Sequence, residues 1–232
     1  MITPKILHLQ INLPKGSREL IFTAQHLVCA GNVGRDKKAL QAHIDELAKL
    51  GVPGPTQVPT FMNYSTYLLT TDDEIMVVSN HSSGEVECVL LCHGNEMWVT
   101  VGSDHTDREQ ESKSIPASKQ MCAKPLAREC WPYPEVEGHW DQLVMRCWVK
   151  KGRERTLYQE GALGSLLGPK ELLEKMPREH MNPKEGFTLF SGTVATRAGL
   201  IYGDSYDLEL EDPVLKRKIQ MHYSVKVLPQ YL

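Results

Sequence analysis

Apolar and polar residues alternate along much of the chain with the period of two that marks a strand with one buried face. Ile6-Leu7-His8-Leu9-Gln10-Ile11 alternates in this way, and Leu20-Ile21-Phe22-Thr23 resumes after the turn chemistry of Pro14-Lys15-Gly16-Ser17. Leu27-Val28-Cys29-Ala30, the stretches 61–69 and 74–78, Leu143 to Val149, and the segments 204–212 and 217–228 read as further strands. Gly186 to Val194 reads as a strand that runs into a Ser191-Gly192-Thr193 bend. The period changes to that of a helix over 36–50, where Leu40, His43, Ile44, Leu47 and Leu50 share one face, Asp36 stands ready to cap, and Gly51 with Pro53 supplies the stop. Pro169 to Met176 predicts a second, short helix, and the acidic stretch 105–118 a loop or short helix. The predicted fold class is mostly β with a few helices (α+β), without internal repeats or low-complexity segments.

One stretch carries more chemistry than the rest. Glu85-Val86-Glu87-Cys88-Val89-Leu90-Leu91 and Met97-Trp98-Val99-Thr100-Val101 flank Gly94-Asn95 and read as a hairpin. Glu85 and Glu87 lie two residues apart and so point to one face, and Asp104, just past the returning strand, can come back beside them. Converging carboxylates repel unless a cation lies among them, and an oxygen-only set favours a hard ion: Mg²⁺, Mn²⁺ or Ca²⁺. The competing reading makes Glu85 and Glu87 the solvated face of a half-buried sheet and Asp104 part of a polar loop.

Other candidates need similar weighing. His43 has Glu46 one helical turn on, the spacing at which a carboxylate orients an imidazole as a base, although a core histidine beside an incidental acid has the same spacing. Lys119 and Lys124 flank a mostly apolar segment; they are either surface lysines or charges aimed into an acidic pocket, where they could bind an anion. The Gly31-Asn32-Val33-Gly34-Arg35 loop lacks both the dinucleotide fingerprint and the P-loop pattern. None of the six cysteines forms a C-x-x-C pair; Cys88 and Cys147 read as core, and Cys122 and Cys130 remain as candidate thiols.

Composition narrows the classes. The 232 residues suffice for one sizeable core, and the net charge of −3 offers no basic footprint for nucleic acid. No apolar run approaches the ~20 residues of a membrane span, and the N-terminal stretch lacks the basic-then-apolar pattern of a signal peptide. A cytoplasmic protein with no nucleic-acid or membrane partner is expected.

The order of the signals adds a resemblance. Gly34-Arg35 with His43-Ile44-Asp45-Glu46, then Glu85-Val86-Glu87, then Val101 to Arg108, then Ser118-Lys119 with Cys122 to Leu126, then Gly186 to Val194 follow one another as do five motifs of the fumarylacetoacetate hydrolase superfamily. The chain resembles that superfamily over roughly residues 31–230, and Ser83 to Glu87, Gly102 to Glu109 and Ser118 to Gln120 resemble a poorly characterised bacterial branch of unknown function. The resemblance implies a mixed β-roll, with a small N-terminal β segment (1–30) and a catalytic domain (31–232). It implies Glu85, Glu87 and Asp104 as ligands of Mg²⁺ or Mn²⁺, and His43, Glu46 and Lys119 as catalytic residues. It further implies Arg35, Gly192 and Thr193 as substrate-binding, and a homodimer. The implied activity is hydrolysis or lysis of a C–C bond, or decarboxylation, in a small 2-oxo or 1,3-dicarbonyl acid through a metal-stabilised enolate. The chain departs from the motifs at the missing Asn-Tyr after Arg35, the short Glu87-to-Asp104 connection, and Val194 in place of Pro. The first two departures favour one alternative, an inactive metal- or ligand-binding protein on the same scaffold; a further alternative is a structural or interaction protein whose acids are surface.

Overall fold

The computed structural model describes residues 4–38, 40, 41, 45, 54, 55, 57–177 and 185–230. Their strands form two main sheets. The larger has eight strands in the order β2 (Gly16–Ala24), β1 (Lys5–Leu13), β12 (Glu129–Pro132), β9 (Glu96–Ser103), β8 (Val86–His93), β15 (Phe187–Thr193), β3 (His26–Gly31) and β4 (Thr60–Tyr64). It is mixed: β1 runs parallel to β12 and β15 parallel to β3, and the other neighbours are antiparallel. The smaller has five, β14 (Glu154–Ala162), β13 (Val144–Lys151), β16 (Ser205–Asp212), β17 (Arg217–Val227) and β6 (Glu74–Val77). Two short pairs complete the set, β7 (Ser82–Ser83) with β10 (Thr106–Asp107) and β5 (Leu69–Thr70) with β11 (Lys124–Pro125). The mostly-β expectation, with few helices, therefore holds.

Four short α-helices are described over their whole length: α1 (Arg108–Glu111), α2 (Ile115–Gln120), α3 (Tyr133–Val136) and α4 (Pro169–Lys175). Among the described residues no helix is long and apolar enough to cross a membrane. Of the helix expected over 36–50, the first turn is visible: Lys38 N–H donates to Asp36 Oδ1 at 2.9 Å and Leu40 N–H to the Asp36 carbonyl at 2.9 Å. His43 and Glu46 lie outside the described residues.

Strand β8 organises the core because both of its faces are buried. Val86, Cys88 and Leu90 face a cluster with Met145, Cys147, Tyr206 and Leu208 of the five-stranded sheet. Val89 and Leu91 face the opposite cluster, with Leu7, Leu9 and Phe22 of the β1–β2 hairpin, Cys29, Leu69 and Phe190. A strand covered on both sides reads as a near-continuous apolar run, which is the sequence of β8 after Glu87. Residues 5–31 thus join the sheet that carries β8. Strands β12 and β14 escape a reading by periodicity. The first has four residues and ends on a proline; the second is an edge strand whose exposed side is polar. The expected strand over 61–69 is broken by a single 3₁₀ turn at Thr66–Leu68.

Gly102 lies opposite Glu87 across the β8–β9 hairpin. A Cβ there would stand 2.9 Å from the Pro125 carbonyl and 3.0 Å from both Phe190 and Val89. Gly102→Ala is therefore expected to lower stability by about 1–3 kcal/mol, seen as an earlier midpoint in urea unfolding with an unchanged slope.

Candidate metal centre

The site begins with a register. The two-residue Gly94-Asn95 turn pairs His93 with Glu96, and from there the ladder carries Glu87 opposite Gly102 and Val86 opposite Ser103. One further rung forms beyond the strands, where Asp104 N–H donates to the Glu85 carbonyl at 3.0 Å. Glu85 and Glu87 share a face of β8, so the tight hairpin brings Asp104 back to both. One carboxylate oxygen of each can be chosen so that all lie within 4.8 Å of one another. Glu87 and Asp104 are each 2% exposed, which removes the reading of these acids as a solvated sheet face.

Cations arrive from the segment that follows. Asp107 caps α1 by accepting from Gln110 N–H at 2.8 Å, and Ser114 caps α2 by accepting from Ala117 N–H at 3.3 Å. Helix α1 opens with Arg108, whose Nη2 lies 3.0 Å from Glu85 Oε1 while Nη1 donates to Glu111 Oε2 at 2.8 Å and Nε to Ser83 Oγ at 2.7 Å. The last turn of α2 carries Lys119, whose Nζ donates to Asp104 Oδ2 at 2.6 Å, Glu85 Oε2 at 3.0 Å and Thr106 Oγ1 at 3.3 Å. Lys124, on β11, is wholly buried. Its Nζ donates to the carbonyls of His105 and Lys119, each at 2.7 Å, and lies 3.0 Å from Asp104 Oδ1, an ion pair set by charge rather than by a linear hydrogen bond.

These neighbours set the ionisation. Burial pushes the Asp104 carboxyl up, but Lys119 and then Lys124 outweigh it and hold the group down at about 2. Glu85 is likewise held below the usual carboxylate range, burial being outweighed by Lys119 and Arg108. Glu87 goes the other way: burial, then the negative charge of Asp104, push it well above that range. Burial alone would discharge Lys119, yet Asp104, Glu85 and Glu87 raise it well above the ordinary lysine value, so it is an ammonium.

The expected substrate-binding residues are engaged elsewhere. Gly192 has φ +97, a conformation suited to glycine, and a Cβ there would overlap Val33. The bend turns its N–H onto Glu87 Oε2 at 2.7 Å. Thr193 Oγ1 donates to the Val86 carbonyl at 2.8 Å and accepts from Gln159 Nε2 at 2.8 Å. Both residues therefore hold β8 and its acid through these donors. Arg35 is spent on a bidentate pair with Asp141, at 2.7 and 2.8 Å. All six cysteines are buried. Burial pushes the thiols of Cys122 and Cys130 up to about 11 and about 12, so neither supplies a nucleophilic thiolate near neutrality.

Sequence reasoning assigned no role to Arg108 or Gln159 and left Lys124 open. Gln159 lies on the unrecognised β14; its Oε1 accepts from Val86 N–H at 3.0 Å and its Nε2 also donates to the Val194 carbonyl at 2.6 Å. The one available signal was charge: Arg108 and both lysines follow Asp104 within twenty residues.

The donor set fits a divalent ion. Three carboxylates without nitrogen or sulfur among them suit a hard cation, and the raised Glu87 carboxyl is the group that such a charge would ionise.

The family model described as "Protein of unknown function (DUF2848)" matches residues 30–223. The chain belongs to this family. No curated protein matches it. Among solved structures, this DUF2848 chain is similar to Cg1458 (14% identity, TM-score 0.63, covering 97% of this chain and 100% of that one). It is also similar to yeast ynq8, a fumarylacetoacetate hydrolase family protein (18%, TM-score 0.60, 90% and 95%). A third neighbour is 2-keto-3-deoxy-D-arabinonate dehydratase complexed with magnesium and 2,5-dioxopentanoate (15%, TM-score 0.61, 94% and 79%). The fold is thus that of the fumarylacetoacetate hydrolase superfamily, as the motif order implied.

Asp104 titrates lower in the folded chain than in the unfolded one, so the unfolded chain binds more protons as acid is added and stability falls. The melting temperature is expected to drop as pH is lowered from about 5 toward about 2, the range over which Asp104 and its unfolded counterpart take up protons. Thermal unfolding at a series of pH values checks this, and the drop should be shallower in Asp104→Asn.

Proposed function

We propose that this DUF2848 protein is a divalent-metal-dependent hydrolase or lyase that cleaves a C–C bond in, or decarboxylates, a small 2-oxo or 1,3-dicarbonyl acid. The observation that carries the reading is the convergence of Glu85, Glu87 and Asp104 around the Lys119 ammonium, on a fold shared with a magnesium-complexed dehydratase of a keto acid. Glu85, Glu87 and Asp104 would hold Mg²⁺ or Mn²⁺. Such an ion, when bound, supplies Lewis acidity toward the substrate's carbonyl oxygen.

The chain's own groups supply the rest. Lys119 keeps a positive charge fixed beside the carboxylates, where negative charge develops on the substrate as its bond breaks, and its position is prepared in advance by three acceptors. Arg108 and Gly192 N–H orient Glu85 and Glu87, so the acids do not have to reorganise. His43, oriented by Glu46, is assigned water activation on the strength of the motif resemblance. Hydrolysis needs that pair; decarboxylation or tautomerisation needs it less. A cytoplasmic homodimer acting on a small-molecule substrate belongs to the same proposal.

One observation favours a second reading, an inactive metal- or ligand-binding protein on this scaffold. The donors expected to receive a substrate carboxylate, Gly192 N–H and the Thr193 hydroxyl, are used inside the protein, and the Arg35 guanidinium is paired with Asp141.

Thermal unfolding with and without Mg²⁺ or Mn²⁺, on wild type and Glu87→Gln, tests the metal reading. An ion at about a hundred times its dissociation constant should stabilise wild type by about 2.7 kcal/mol. That rise should largely disappear in Glu87→Gln. Turnover of a member of a 2-oxo-acid panel by the metal-loaded protein would then support the enzyme. Binding without turnover would support the second reading, and no metal-dependent rise in wild type would sink both.

A further inference from the structure

Each of the three carboxylates has one oxygen facing a group of the surrounding frame: a guanidinium at Glu85, a backbone N–H at Glu87, and at Asp104 an ammonium held as an ion pair without a hydrogen bond. Arg108 Nη2 lies 3.0 Å from Glu85 Oε1, Gly192 N–H donates to Glu87 Oε2 at 2.7 Å, and Lys124 Nζ lies 3.0 Å from Asp104 Oδ1. The remaining oxygens of Glu85 and Asp104, Oε2 and Oδ2, are the two that accept from the Lys119 ammonium.

Lys124 is the most deeply built of these donors. It is fully buried, so it does not touch a substrate. Its strand is registered on β5, Lys124 opposite Leu69. Its Nζ also donates to the carbonyls of His105 and Lys119, the residue after Asp104 and the residue whose ammonium meets Asp104. One buried group therefore sets both the rotation of the Asp104 carboxylate and the backbone on either side of the Asp104–Lys119 contact.

We propose that Lys124, with Arg108 as its counterpart on Glu85, is a positioning residue that sets ion choice, by confining each acid to one ligand oxygen and so disfavouring Ca²⁺. The inference rests on the metal-centre reading above. Ca²⁺ takes six to eight oxygens in loose geometry and gains from carboxylates that bind through both, whereas the smaller Mg²⁺ and Mn²⁺ are satisfied by octahedral sets of single oxygens and water. Losing Lys124 Nζ takes away the ammonium that lies 3.0 Å from Asp104 Oδ1, and the acid can then offer both oxygens to a larger ion.

Calorimetric titration of Mn²⁺ and of Ca²⁺ into wild type, Lys124→Met and Arg108→Gln tests this without any assay of activity. The readout is the ratio of the two dissociation constants, Ca²⁺ over Mn²⁺. General loosening of the hairpin, or the loss of one positive charge, acts on both dications alike and leaves the ratio where it was. The expected result is a high ratio in wild type that falls by about tenfold or more in Lys124→Met. Breaking a buried ion pair leaves a charge uncompensated and can unfold a marginal protein. If Lys124→Met does not fold, Arg108→Gln, which frees Glu85 Oε1, decides by the same ratio. Retained Mn²⁺ binding with an unmoved ratio overturns the inference and leaves the metal centre standing; binding of neither ion to wild type overturns both.

Discussion

Asp104 is buried with Lys119 Nζ 2.6 Å from one of its oxygens and Lys124 Nζ 3.0 Å from the other. A carboxylate taken out of water is tolerated only when the attraction of its partners and the hydrogen bonds around them offset the lost hydration. The same holds for each lysine, so the three charges stand or fall together. Their meeting requires the β8–β9 register to end at Asp104, the Ser114 cap to start the helix that presents Lys119, and the β5–β11 pairing to place Lys124. A slip in any of these would leave a buried charge unpaired, and this couples the fold to the site.

The two sheets meet at the same place. Gln159 reaches from the five-stranded sheet to the backbone of Val86 and Val194 and the hydroxyl of Thr193. The bend in β15 at Gly192 turns a backbone N–H onto Glu87 where a regular strand would have continued its ladder. Among the described residues Glu87 has no ion pair of its own: the neutral Gly192 N–H donates to it, and its carboxyl is pushed up while those of Glu85 and Asp104 are held down. Two carboxylates kept ionised and one kept poised to ionise is an arrangement that answers to an added positive charge.

Much of this was legible beforehand because it is local. Alternation marked the central hairpin, Gly94-Asn95 marked its turn, and the two-residue spacing put Glu85 and Glu87 on one face. The motif order pointed to the superfamily whose fold is found. Less legible were second uses of residues near the site: the same Gly192, Thr193 and Arg35 that suggest substrate contacts in a string of letters also hold Glu87, Val86 and Asp141 in space.

By itself, then, the sequence determined most of the strands, the hairpin register and the side on which its acids project, since these follow from backbone period and turn chemistry within a few residues. Only the tertiary structure decided which cations those acids meet. Lys119, Lys124 and Arg108 come from segments with no period that encodes their direction, and a lysine facing water and a lysine buried on an aspartate look alike along the chain. Burial makes the difference, because it turns the pairing of Asp104 with two ammoniums from a weak surface contact into a condition of folding.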